Sequence, residues 1–340
     1  MFIKSSISVL FLFVLLLNAC QTPKPEQKYI KFAGETQGTT YHITCKTSDS
    51  VEVVQHNVDS ILHAFDLQFS IYNKQSVISK INNNDPTVSL DSMFVDMINF
   101  SKKINQMSAG AFDITVGPLV NAWGFGPDTK KRPSQKTIDS LLLITGMDKI
   151  KIEGNKLIKS NPKVKIDVNG IAQGYSVDLV ADFFEKSGIE NYMVEIGGEV
   201  RCKGVNEKGK LWRIGIDKPV ENNNGAEHQL KAIVELNNES VSTSGSYRRF
   251  YVENGVKYSH TINPFTGFPA RNTLLSVTIF DKKCAFADAV ATACMVKGLD
   301  SSKLFLSENK IKAYLIYSDL EGNLKEYFSP CLNEKLFGIE

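Results

Sequence analysis

The sequence predicts an α+β fold of mixed helices and largely antiparallel sheets, and three observations carry that expectation. Apolar residues recur at helical spacing in some stretches, as at Val51, Val54, Val58, Ile61, Leu62, Phe65 and Phe69, and form short β-like runs in others. These stretches mix without a regular βαβ repeat, which disfavours a doubly wound parallel sheet. Asn254-Gly255 between two β-like runs is a strong short-range hairpin signal. At 340 residues, 42% hydrophobic and 22% charged, the chain has ordinary globular composition and is long enough for two lobes. No internal repeat is visible.

The N-terminus is set apart from this body. Met1 to Lys4 carry one positive charge, Ile7 to Leu17 are apolar, and the run is too short to span a bilayer, so residues 1–19 read as an export signal. Leu17-Asn18-Ala19-Cys20 looks like a bacterial lipobox. The mature chain is then expected to start at a lipidated Cys20, followed by a polar tether over 20–28 that contains Pro23 and Pro25, with the folded body at 29–340. This makes the protein an exported, membrane-anchored lipoprotein of the cell envelope, facing the periplasm. The remaining cysteines, Cys45, Cys202, Cys284, Cys294 and Cys331, show no CxxC pair and no zinc spacing. Cys284 and Cys294 lie in alanine-rich surroundings that suit buried thiols. A net charge of +2, with no basic run interleaved with aromatics, excludes a nucleic-acid footprint.

Within the body, helices are expected over 51–69 and 90–104, then from Ser134 as N-cap to Leu143 with Gly146 as its stop. Short strands are expected at 149–152, 157–159 and 164–168. A helix over 171–186 closes at Gly188, and a strand over 192–196 runs into Gly197-Gly198. Strands at 200–203, 211–216 and 230–236 follow, with 221–229 as an asparagine-rich surface loop. The hairpin of 249–252 and 256–259 places His260 at the end of a returning strand. A strand over 274–280, an alanine-rich helix over 286–296 and a strand over 311–317 complete the order.

Several stretches carry more than folding information. Ser242-Thr243-Ser244-Gly245 supplies small donors and a glycine that lets backbone approach an anion, although such a run is also ordinary turn material. Ser108 to Pro118, continuing to Trp123-Gly124-Phe125-Gly126, packs glycine, aromatic and acidic residues into an expected loop, a composition that suits a flat aromatic ligand. Asp167-Val168-Asn169-Gly170-Ile171-Ala172-Gln173-Gly174-Tyr175 leads into a helix N-terminus, where amides and the helix dipole favour phosphate. Asp167 there is either a cap or a ligand contact. The stretch is neither a Walker A loop nor a GxGxxG fingerprint. Asp288 and Thr292, four apart on a helix, share a face, and oxygen ligands of this kind suit magnesium when substrate phosphates complete the shell.

Taken in order, Gly38-Thr39-Thr40-Tyr41, Gly110 to Thr115, Trp123 to Gly126, Gly170 to Tyr175, Gly197-Gly198, Thr243-Ser244-Gly245, Ser259-His260 with Pro264 and Thr266-Gly267, and Asp288 to Thr292 resemble the ApbE family of FAD-dependent protein FMN transferases. The resemblance covers Gly38 to about Gly298. It implies a T-fold-like, two-lobed body with the flavin site between lobes. It also implies FAD contacts at Gln37, Tyr72, Ala111, Phe112, Asp113, Asp167, Gln173 and Ile262, and Mg2+ held by the Gly170 carbonyl, Asp288 and Thr292. Three positions depart from the family pattern: Gln37 stands where methionine is frequent, Gln173 replaces a common lysine or glutamate, and Phe265 replaces an arginine. The implied reaction moves FMN from FAD to a threonine of an acceptor protein, such as a membrane redox complex, and releases AMP. Ser244, Gly245 and the Gly170 backbone are expected at the pyrophosphate, and His260 is the candidate base, because the unperturbed pKa of an imidazole lies near neutrality. An FAD pyrophosphatase and a non-catalytic flavin carrier are the alternatives.

Overall fold

A computed structural model describes residues 26–127, 132–219, 229–246, 250–253, 256–333 and 337–338. The export signal, Cys20, most of the tether, residues 221–228 of the expected loop and Asn254-Gly255 lie outside the described residues.

Eight strands form one sheet in the order β1 (Lys28–Thr36), β2 (Thr39–Thr47), β5 (Tyr192–Ile196), β6 (Glu199–Lys203), β9 (Glu239–Gly245), β12 (Leu274–Asp281), β13 (Lys312–Ser318) and β14 (Leu324–Phe328). Every neighbouring pair is antiparallel. Two of its connections are two-residue turns that need left-handed backbone. Gln37 and Gly38 have φ of 52° and 70°, and Gly197 and Gly198 have 64° and 103°. Three smaller pieces complete the strand set: the hairpins β3 (Ile150–Glu153) with β4 (Lys156–Lys159) and β10 (Phe250–Glu253) with β11 (Val256–Ser259), and a sheet of β7 (Trp212–Asp217), β8 (Leu230–Leu236) and β15 (Phe337–Gly338).

Helices cover one face of the large sheet. In α1 (Val51–Phe69), Val54, Val58, Leu62, Phe65 and Phe69 are all buried, and Ser50 caps the first turn by accepting the Val53 N–H. The remaining helices are α2 (Val77–Asn82), α3 (Ser92–Met107), α4 (Gly117–Ala122), α5 (Gln135–Leu142), α6 (Ala172–Lys186), α7 (Cys284–Lys297) and α8 (Leu299–Glu308). Helix α6 packs on β5 and β6, and α7 packs on β9, β12 and α6. Alanines at 285, 287, 289, 291 and 293 of α7 are buried, which lets this helix sit inside the core. On β9 the side chains alternate. Val241 joins Trp212, Val234 and Phe280 beneath the β7–β8 sheet, whereas Ser244 turns towards α7.

The structure differs from the sequence reading in three places. Residues 164–168 form no strand among the described residues; the Ile166 N–H instead donates to the Asn82 side chain and the Asp167 N–H to the Ile114 carbonyl. The expected loop at 108–126 contains a 3-10 turn at Ile114–Val116 and then α4, started by Pro118 near its N-terminus. Ser242 to Gly245 are strand, not turn. Strands β1 and β14 and helices α2 and α8 also had no clear pattern in the sequence reading.

Candidate active site

The centre of the site is the crossing of α6 and α7 beneath β9. Asp288 lies on α7 with its side chain buried, and one carboxylate oxygen accepts the Gly174 N–H of α6 at 3.0 Å. Burial raises its pKa to about 7, and the Gly174 hydrogen bond only partly opposes this. Thr292, one turn along α7, has its hydroxyl 3.4 Å from the Ser244 hydroxyl and 3.5 Å from the Gly170 carbonyl oxygen. The three residues expected at magnesium therefore converge as a carbonyl, a hydroxyl and a carboxylate. This is an all-oxygen donor set of the kind a hard cation prefers. A bound cation would also supply positive charge to the buried carboxylate. Among the described residues no three His, Cys, Asp or Glu side chains form a metal cluster.

Gly170 joins this corner to the 108–113 segment. A Cβ at Gly170 would stand 3.2 Å from the Thr292 hydroxyl and 3.4 Å from the Phe112 ring. Ala111 and Phe112 are buried, and the Phe112 backbone is fixed at both ends: its N–H donates to the Ser108 hydroxyl and its carbonyl accepts from Asn105. The Asp113 carboxylate accepts the Thr115 N–H at 2.7 Å and the Thr115 hydroxyl at 2.6 Å, so it caps the 3-10 turn. Burial raises its pKa. Asp167 is buried as well, and its carboxylate accepts the Asn169 N–H at 2.9 Å. It does not cap α6, whose N-cap residue is Ile171.

On the other side of α6, the Gln173 amide lies against Gly197, where a Cβ would come within 2.8 Å of its carboxamide carbon and 3.1 Å of the Thr39 methyl. Gln37 occupies the neighbouring hairpin turn, which borders a cavity of about 480 Å³. Its side-chain nitrogen is buried without a hydrogen-bond partner among the described residues. Tyr72 is exposed beyond the end of α1, and Gly245 ends β9 opposite Ser276.

His260 follows β11, as the hairpin pattern anticipates, with its ring edge-on to Phe125 at 6.5 Å. Ile262 is buried, bridges Pro269, and packs with Leu119, Trp123, Ile138 and Tyr258. The turn at 263–267 is pinned by the Trp123 indole N–H, which donates to the Gly267 carbonyl at 2.7 Å. It presents Phe265 beside Gly110, where a Cβ would lie 3.2 Å from the ring. Phe265 thus links the His260 segment to the Phe112 segment. Of the supporting groups, Thr115 and Gly174 stand within motifs the sequence reading names, whereas Asn105 and Asp178 were not singled out. Only Asp178 had an available signal, its four-residue offset from Gly174 on one helix face.

The ApbE family model matches residues 37–315. A relative from Vibrio cholerae, a FAD:protein FMN transferase, is 37% identical, with 94% of this chain and 97% of the relative covered. The solved structure of the flavin transferase ApbE from Vibrio cholerae superposes with a TM-score of 0.80 at 37% identity, covering 90% of this chain and 98% of that one. The apo flavinyl transferase ApbE of Pseudomonas stutzeri gives 0.81 at 33% identity, covering 93% and 98%. An antiparallel sheet backed by helices, with an oxygen-lined corner at a helix crossing, is therefore the architecture of a flavin transferase. The chain belongs to the ApbE family.

Proposed function

We propose that this protein transfers the FMN moiety of FAD to a threonine hydroxyl of an acceptor protein, with Mg2+ as cofactor and AMP as the leaving group. The observation that carries this reading is the convergence of the Gly170 carbonyl, Asp288 and Thr292 beside Ser244. When bound there, magnesium would neutralise charge on the pyrophosphate of FAD. Asp288 and Thr292 would hold it, with the Gly170 carbonyl, from a turn where a Cβ would crowd Thr292 and the Phe112 ring. Ser244 and Gly245 offer a hydroxyl and an amide to phosphate oxygens. The Phe112 segment beside Gly170, and Gln173 beside Gly197, orient the flavin nucleotide in this reading.

The new bond joins the threonine oxygen to the FMN phosphorus, and the bond from that phosphorus to the bridging oxygen of AMP breaks. His260 takes the hydroxyl proton. Its place on an edge, outside the helix crossing, suits a base that must meet a second protein. Gln37, Tyr72, Ala111, Asp113, Asp167 and Ile262 complete the FAD contacts in this reading. Lipidated Cys20 would tether the enzyme to the membrane, next to an acceptor in a membrane redox complex. Among the described residues no helix is long and apolar enough to cross a membrane.

The test is to incubate the full-length chain in detergent with FAD, Mg2+ and a candidate acceptor. Covalent flavin fluorescence is then followed on a denaturing gel together with AMP. Fluorescent acceptor with matching AMP is the expected result. AMP with free FMN and no label would favour the pyrophosphatase, and bound, intact FAD would favour the carrier. Membrane fractionation of Cys20→Ser tests the anchor, since the variant should leave the membrane fraction.

A further inference from the structure

We infer that Asp178, held by Arg201, is a positioning residue that sets Asp288 in place for its cation. Asp178 has this role only if Asp288 binds a divalent metal, as proposed above.

Helix α7 has no side-chain cap of its own: Lys283 occupies the N-cap position without such a bond. The cap comes from the neighbouring helix. The Asp178 carboxylate accepts the Cys284 N–H at 3.1 Å with one oxygen and the Ala285 N–H at 3.0 Å with the other. One turn away, the exchange reverses, and the Asp288 carboxylate of α7 accepts the Gly174 N–H of α6 at 3.0 Å. Gly174 and Asp178 are four apart on α6, and Cys284 and Asp288 are four apart on α7. Each helix therefore holds the other through a carboxylate on backbone N–H groups, at two levels of one crossing. Between those levels there is no slack, since a Cβ at Gly174 would lie 2.5 Å from the Cys284 carbonyl oxygen.

Arg201 fixes the Asp178 end. Its guanidinium donates to Asp178 at 2.7 Å, to Asp182 at 2.8 Å and to Glu185 at 2.9 Å, with the arginine side chain only 11% exposed. Asp182 also pairs with Lys283 at 2.9 Å, and its bonds among the described residues go to the Arg201 and Lys283 side chains and not to the α7 backbone. Asp178 thus carries two jobs: it completes the ion network and it caps α7. Asp182 carries only the first. A carboxylate at a helix N-terminus also complements the helix dipole, so losing it frees the first turn of α7, directly before the turn that carries Asp288.

The experiment reads Mn2+ binding by electron paramagnetic resonance on the full-length protein in detergent, without flavin, alongside thermal unfolding. Asp178→Asn is expected to weaken Mn2+ by roughly 10- to 100-fold, the range for groups that orient a metal ligand. Asp182→Asn is expected to lower thermal stability with Mn2+ affinity within about twofold of wild type, on the same reasoning. Arg201→Lys, which keeps the charge and loses the forked geometry, should fall between them, and it provides the reading if Asp178→Asn does not fold. Wild-type Mn2+ affinity in a folded Asp178→Asn protein, or equal losses in the Asp178 and Asp182 variants, would overturn the assignment. Asp288→Asn separates the two levels: if it binds Mn2+ like wild type, the metal reading itself fails, and Asp178 loses its proposed role with it.

Discussion

The corner around Asp288 and the edge around His260 are held by different means. Asp288 projects from a largely buried helix, and the corner around it is built from the Gly174 N–H of α6, the Gly170 carbonyl just before that helix, and the hydroxyls of Thr292 and Ser244. His260 sits at the end of a two-stranded hairpin, beside a small apolar cluster of Leu119, Trp123, Ile138, Tyr258 and Ile262 that lies apart from the main core. One indole hydrogen bond and an Asn263 turn fix the segment that follows it. A group that must hold charge at a fixed point gains from the first arrangement. A group that must meet another protein's hydroxyl gains from the second, because the edge can be approached.

If that division is right, substitution at the corner should remove the metal response, and substitution at the edge should remove the chemistry and leave the metal response. The largest effect is expected for Asp288→Ala: transfer should fall below detection, and no dependence on Mg2+ should remain. Flavin labelling of the acceptor in a magnesium titration and in chelator checks this, and a variant still active in chelator would break the comparison. His260→Ala should lower transfer by about 10²- to 10⁴-fold, the usual worth of a general base, while FAD binding followed by flavin fluorescence stays within about twofold. Retained transfer would remove His260 from the mechanism.

How much of each region was legible in the sequence follows from how local its determinants are. The Asp288–Thr292 pair is a four-residue spacing on one helix, and the 254–255 turn signal put His260 after a returning strand; both patterns can be read within a few residues. Helices α1, α3 and α6 and strands β8 and β12 were readable because their burial periods persist over their length. The 164–168 segment was misread because its apolar alternation is satisfied by Asn82 and Ile114, more than fifty residues away. The Asp178 cap on α7 spans 106 residues, a pairing that no local period reveals. The short α4 and the 3-10 turn were hidden by glycines, and their helical form depends on the Asp113 cap and on Pro118.

The corner also makes a prediction that needs no acceptor. Burial lifts the Asp288 pKa from the ordinary 3.8 to about 7. Between those values the folded protein keeps a proton that the unfolded chain has released, so unfolding free energy contributed by this group falls as pH rises from about 4 to about 7 and is level above. In chelator, thermal unfolding of wild type should therefore lose ground to Asp288→Asn across that window. The asparagine variant should be the more stable of the two at pH 8. Excess Mg2+ should narrow the gap by stabilising wild type alone. Parallel pH profiles for the two proteins would mean that Asp288 ionises without penalty.

The smallest effect is expected at the edge. Trp123→Phe keeps an aromatic ring against Tyr258 and Phe268 but removes the indole N–H that reaches the Gly267 carbonyl. Losing the donor from a buried carbonyl should cost roughly 1–3 kcal/mol. Because the lost bond pins the turn after His260 and touches nothing at the α6–α7 crossing, transfer should drop several-fold with the magnesium midpoint unchanged. Thermal unfolding and a magnesium titration of the same preparation separate these outcomes. A shifted midpoint would mean that the turn and the metal corner move together, through Phe265 and the Phe112 segment, so that edge and corner form a single element.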